Sequence, residues 1–108
     1  MSKVKIVTFV PLAAADTVRR AMGKAGAGKI GEYSFCSYAV VGKGRFTPSV
    51  NANPHVGTAG SPEIVEEERI EVVCDRSTAK QVIAAIRGTH PYEEVALDIY
   101  PLLEEQDL

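Results

Sequence analysis

Three glycines within six residues, Gly26, Gly28 and Gly31, constrain this chain more than any other feature. They close a small-residue helical stretch and open an apolar one, in the run Ala25-Gly26-Ala27-Gly28-Lys29-Ile30-Gly31-Glu32-Tyr33-Ser34-Phe35-Cys36-Ser37. Glycines so spaced predict a tight structural turn whose backbone takes positive φ or passes close to a neighbour. The stretch before the turn, Ala13 to Ala25, carries Ala14, Val18, Ala21, Met22 and Ala25 on one stripe, the period of a helix. Asp16 comes early and Lys24 late, as the helix dipole favours. A stripe made mostly of alanine lets the helix lie close to whatever it covers.

The other elements follow from period and punctuation. Lys3 to Val10 reads as a strand, with Val4, Ile6 and Val10 on one face and Val7 and Phe9 on the other. Tyr33 to Val41 reads as a second strand, with a turn at Gly42-Lys43-Gly44 and a short return over Arg45-Phe46-Thr47. Residues 49–62, rich in Asn, Gly and Pro, are a long loop of the kind that is either functional or mobile. Glu63 to Cys74 is the longest strand; its first half is too polar for burial and projects past the core. Ser77 is placed to cap a second helix, whose stripe is Ala79, Val82, Ile83 and Ile86 and whose stop is Gly88. Val95, Leu97 and Ile99 alternate with polar positions in a last strand, and an acidic tail follows from Leu102 to Leu108. Strand, helix, strand, strand, helix, strand is the α+β, ferredoxin-like βαββαβ order, here a single domain over 1–108 with an extra short hairpin. Both helices then cover one sheet face. Val7, Phe9 and Val73 on the other face call for a second chain.

Composition narrows the function classes. An apolar share of 45% and a charged share of 24% suit an ordinary globular domain. A net charge of −2, with acidic runs at Glu66-Glu67-Glu68 and Glu104-Glu105, gives no reason to bind nucleic acid or an anionic membrane surface. No apolar run approaches the roughly 20 residues that span a bilayer. Met1-Ser2-Lys3 runs directly into a strand pattern, leaving no room for a signal peptide. The two cysteines, Cys36 and Cys74, read as reduced core residues, which places the expectation in the cytoplasm.

The motifs resemble those of a known family. The Gly26 to Ser37 segment is similar to the one that opens the insertion domain of Nif-three-like, or YqfO-like, proteins. The similarity continues through Gly42-Lys43-Gly44-Arg45-Phe46-Thr47-Pro48, Asn53-Pro54, Gly57 and Glu68-Arg69-Ile70-Glu71, and closes on His90-Pro91-Tyr92-Glu93-Glu94-Val95 through Tyr100. That insertion domain resembles PII and CutA, which are ferredoxin-like trimers. The family's dinuclear metal centre lies in flanking lobes that have no counterpart here. The resemblance therefore implies a fold and a small sensing or regulatory module, while the family's metal centre and the hydrolase chemistry attached to it are not carried over.

Residues able to do chemistry gather in few places. His90, Tyr92, Glu93 and Glu94 bring an imidazole, a phenol and two carboxylates within five residues, as a ligand pocket at a subunit edge or as a structural end to the second helix. His90 is the best candidate metal ligand. Lys29 stands in the glycine turn, where backbone amides can cradle an anion; these glycines close a helix, however, and present carbonyls. His55 lies in the long loop, where a PII-like domain would meet ligands or partners. No nucleophile elbow and no Cys-x-x-Cys pair is present, and no cofactor is specified. Three readings remain open. One is a homo-oligomeric sensing module, trimer before dimer, binding a small molecule or metal ion between subunits. The others are a metal-dependent hydrolase built on His90 and nearby carboxylates, and a structural trimerisation module for a partner protein.

Overall fold

The structure, a computed structural model, describes residues 2–108. Strand β1 (Lys3–Pro11) leads directly into helix α1 (Leu12–Lys24), and strands β2 (Tyr38–Phe46) and β3 (Glu63–Asp75) pair antiparallel. Helix α2 (Ala79–Thr89) and strand β4 (Leu97–Pro101) complete the chain. The sheet order is β2-β3-β1-β4, with β3 and β4 both antiparallel to β1. This is the ferredoxin-like arrangement, and it puts both helices on one face.

The core lies between that face and the helices. Val4, Ile6 and Val10 from β1 and Ile70, Val72 and Cys74 from β3 meet Ala15, Val18 and Met22 of α1 and Val82 and Ile86 of α2. Each large aliphatic side chain so buried contributes about 1.5–3 kcal/mol. Buried Thr8 keeps its hydroxyl satisfied by donating to the Ala96 carbonyl at 3.0 Å, which ties β1 to the segment before β4.

Helix α1 ends in a Schellman motif. The Gly26 N–H donates to the Gly23 carbonyl and the Ala27 N–H to the Met22 carbonyl, with Gly26 at φ 110°. Gly28 (φ 83°) then donates to the Val73 carbonyl and accepts from Cys36 N–H, stitching the turn to β3. Gly31 (φ 57°) turns a tight loop closed by paired bonds between Ile30 and Tyr33. All three glycines hold the positive φ that their spacing predicts.

Five expectations change. The Gly42-Lys43-Gly44 hairpin does not form: β2 runs straight from Tyr38 to Phe46, and Gly42 and Gly44 pair with Glu67 and Val65 of β3. Gly44 is there for another reason, since a Cβ on it would overlap the Glu67 carboxylate. Residues 33–37 are not strand, because Phe35 (φ 57°) lays its ring against Gly23 of α1 instead. Cys36 therefore lies in the loop and only Cys74 is in the core. Ser77 sits inside a 3-10 turn, Arg76–Thr78, and makes no side-chain cap. Gly88 lies within α2, which ends one residue later, where the His90 N–H returns to the Ile86 carbonyl.

The second sheet face is also not bare. Val7 is fully buried there, between Glu71 and Asp98 in register. Arg69 of β3 and Tyr100 of β4 reach toward one another diagonally across β1, over Val7. Glu71 holds Lys5 at 3.2 Å and Arg69 at 3.3 Å, and the Arg69 guanidinium lies 5.6 Å from the Phe9 ring centre. Long charged side chains covering apolar surface with their stems replace the second chain that Val7 seemed to require. No described helix is long and apolar enough to cross a membrane.

Candidate functional site

The far end of this second face carries a cavity of about 640 Å³. Alternation along the strands builds its floor: Phe9 from β1, Glu67 and Arg69 from β3, and Val40, Gly42, Gly44 and Phe46 from β2. Two segments form the opposite wall. One is the long loop, through Pro48, Ala52, Pro54, His55 and Val56; the other follows α2, through Tyr92, Glu93, Glu94 and Ala96. The volume is that of a small-molecule site, and the walls are mainly apolar with a few polar groups converging.

Tyr92 is the hub. Its ring packs against His90 at 4.9 Å between centroids, and against both Phe46 and His55 at 6.2 Å. Its hydroxyl oxygen is shut off from solvent and has no hydrogen-bond partner. The Glu67 carboxylate is the acceptor nearest to it, close enough to raise its pKa by hydrogen bonding and charge though outside strict bonding geometry. Burial first, and that carboxylate second, push the phenol well above its ordinary value near 10. The hydroxyl stays neutral.

His90 sets Tyr92 in place rather than facing the cavity. Its Nδ1 accepts from the Tyr92 N–H at 3.1 Å, so Nε2 carries the proton and donates to the Phe9 carbonyl at 2.7 Å. With both nitrogens hydrogen-bonded to backbone, His90 is used structurally and keeps no free nitrogen in this arrangement. Among the described residues no group of three or more His, Cys, Asp or Glu is placed to hold an ion. Glu93 fastens the loop, accepting from the Asn53 N–H at 2.9 Å, while Glu94 is exposed.

Four of the six residues named from the sequence thus meet at the cavity: His55, Tyr92, Glu93 and Glu94. Lys29 does not; it is exposed on the glycine turn. The amides of Gly26, Ala27, Gly28 and Ile30 in that turn are already spent on carbonyls, which leaves an anion little to bind. Sequence reasoning missed Glu67, Arg69 and Phe46, because the supposed hairpin at Gly42 hid the register that sets them side by side. The alternation of β3 with glycines opposite it was the available signal.

No protein-family model matches the chain. Curated relatives do. The chain is 46% identical over 101 residues to a GTP cyclohydrolase 1 type 2 homolog of Halalkalibacterium halodurans, covering 94% of this chain and 27% of that protein. It is 48% identical over 98 residues to the protein of that name from Bacillus subtilis, covering 91% of this chain and 26% of that protein. A Bacillus cereus protein related to NIF3 superposes with a TM-score of 0.82 at 46% identity, over 94% of this chain and 26% of the other. The chain belongs to the NIF3-related family. It spans about a quarter of the length of the relatives it matches. At 17% identity, the periplasmic divalent cation tolerance protein CutA from Archaeoglobus fulgidus shares the fold, with a TM-score of 0.68 over 94% of this chain and 85% of that one. The B. subtilis GlnK–ATP complex does so at 13% identity and 0.62, over 92% and 80%.

Proposed function

We propose that this NIF3-related chain is a homo-oligomeric sensing or regulatory module that holds a small ligand or ion in the cavity beneath residues 47–56, without chemistry of its own. The convergence of Tyr92, His55, Glu67 and Glu93 around one mostly apolar volume carries the reading. The loop wall is held by few contacts, chiefly Glu93 to Asn53 N–H and the ring of His55 on Tyr92. A ligand filling the cavity gains from both walls and orders the loop.

A thermal-shift screen against nucleotides and divalent cations tests it, since binding to the folded state raises the melting temperature by mass action. Nucleotides are included because one neighbour of the fold is solved with ATP. At least one ligand should raise the melting temperature saturably, and Val56→Trp, which fills the cavity, should abolish the rise while circular dichroism stays native. Rises that survive Val56→Trp would refute the cavity as the site. The hydrolase alternative needs a base with a free nitrogen at His90, which is engaged on both sides. The pure chain should therefore show no metal-dependent hydrolysis; turnover lost in His90→Ala with the fold intact would reverse that.

A further inference from the structure

Glu67 is the one carboxylate set into the cavity floor without an electrostatic partner. It is half-buried on the face away from the helices, over Gly44 and beside the Tyr92 hydroxyl. Among the described residues no Lys, Arg or His stands within ion-pair distance of it, and no donor bonds it. The nearby cations are committed elsewhere or turned away. Arg69 holds Glu71 and lies over Phe9. Lys43 and Arg45 also line the cavity, but they pair in register with Glu66 and Ile64, so alternation sends their side chains to the opposite face of β2 and leaves their backbone on the cavity side. Glu93, exposed at the cavity rim, adds a second negative charge met only by a backbone N–H.

We propose that the cavity takes a small organic cation, an ammonium group on an apolar body. This rests on the reading of the cavity as a ligand site. The ammonium has three donors; one reaches Glu67, whose carboxylate has no ion-pair partner in the free chain. The aromatic faces of Phe46 and Tyr92 attract a cation as well as an apolar group. An anion of the same shape meets two carboxylates and no uncommitted positive charge. A neutral analogue gains the apolar walls alone.

Three probes of one shape separate these cases: phenethylammonium, 2-phenylethanol and phenylacetate, each titrated into the protein at pH 7 and followed by amide NMR. Phenethylammonium should bind at least tenfold more tightly than the other two, with shifts centred on Gly42, Gly44 and Tyr92. Glu67→Gln, nearly isosteric, should erase the tenfold preference and leave 2-phenylethanol binding unchanged. Glu67→Ala removes the same charge and should weaken the ammonium selectively, a second arm if Glu67→Gln fails to fold. Equal binding of the three, preference for phenylacetate, or a preference that survives Glu67→Gln overturns the cation. Lack of binding by phenethylammonium overturns it too. A screened ligand that Val56→Trp still blocks would then show that the ligand class was wrong and the site right.

Discussion

At the scale of single residues, the glycine turn makes a graded prediction. Gly28 sits at φ 83°, and a Cβ there would overlap the Cys36 backbone, which cannot move without breaking its bond to the Gly28 carbonyl. Gly28→Ala should cost at least roughly 2 kcal/mol, strain and crowding together. Gly31 at φ 57° has open space around its missing side chain, so Gly31→Ala should cost only about 1 kcal/mol, the left-handed penalty. Urea denaturation measures both; equal losses would mean that close approach to Cys36 is unimportant. Glu71 gives a pH signature. The Lys5 ammonium, and then Arg69, lower its carboxyl below the ordinary 4.5, so ionised Glu71 favours the folded state. Its stabilisation is present above that ordinary value and is lost as pH falls through the lowered one. The stability gap between the parent chain and Glu71→Gln should therefore be visible at pH 7 and shrink as pH falls below 4.5 through the lowered value; a gap that persists in strong acid would assign it to packing.

At the scale of elements, Gly88 separates the two accounts of the second helix. A glycine that stops a helix in left-handed geometry tolerates alanine badly. Gly88 instead lies inside α2, without positive φ and with nothing within 4 Å of a would-be Cβ. Gly88→Ala should raise stability by roughly 0.5–1 kcal/mol. A loss in the thermal midpoint would restore Gly88 as the stop. Such details mark where the sequence was legible. Core strands and both helical stripes were, since Val4, Ile6, Ile70, Val72, Val82 and Ile86 keep strict periods and lie buried. The Gly42-Lys43-Gly44 segment was not, because glycine in a strand has the same local signal as glycine in a turn. Only the cross-strand demand of the Glu67 side chain decides between them, and that demand is non-local. Val7 failed for a similar reason: period places it on the second face, but long side chains from β3 and β4 cover it. The site was legible as residue types near His90 and His55, and its floor was lost with the register.

At the scale of the whole molecule, the shape argues for assembly. The radius of gyration is 15.1 Å, against about 13 Å for a compact domain of this length, and the extents are 48 × 27 × 22 Å. The excess is the β2–β3 ribbon, whose outer half runs past both helices. Tyr38, Val40, Val41 and Ile64 on it are 68%, 48%, 57% and 58% exposed. Strand β2 is also a sheet edge, nine residues long, with unpaired backbone groups along its outer side. A long apolar edge left in water either aggregates or pairs with another chain. We therefore expect assembly to run through this ribbon and edge rather than through the covered face at Val7. Closure around a three-fold gives each copy the same partner on both sides and leaves no edge unpaired, whereas a two-fold is the commoner symmetry in general. We expect light scattering at tens of micromolar to give about three times the chain mass of 11.6 kDa. A double change on the helix-side face of the ribbon, Val41→Lys with Ile64→Lys, should lower that mass while the circular dichroism of the core persists. A parent chain at 11.6 kDa would refute assembly, and twice that mass would replace the trimer by a dimer.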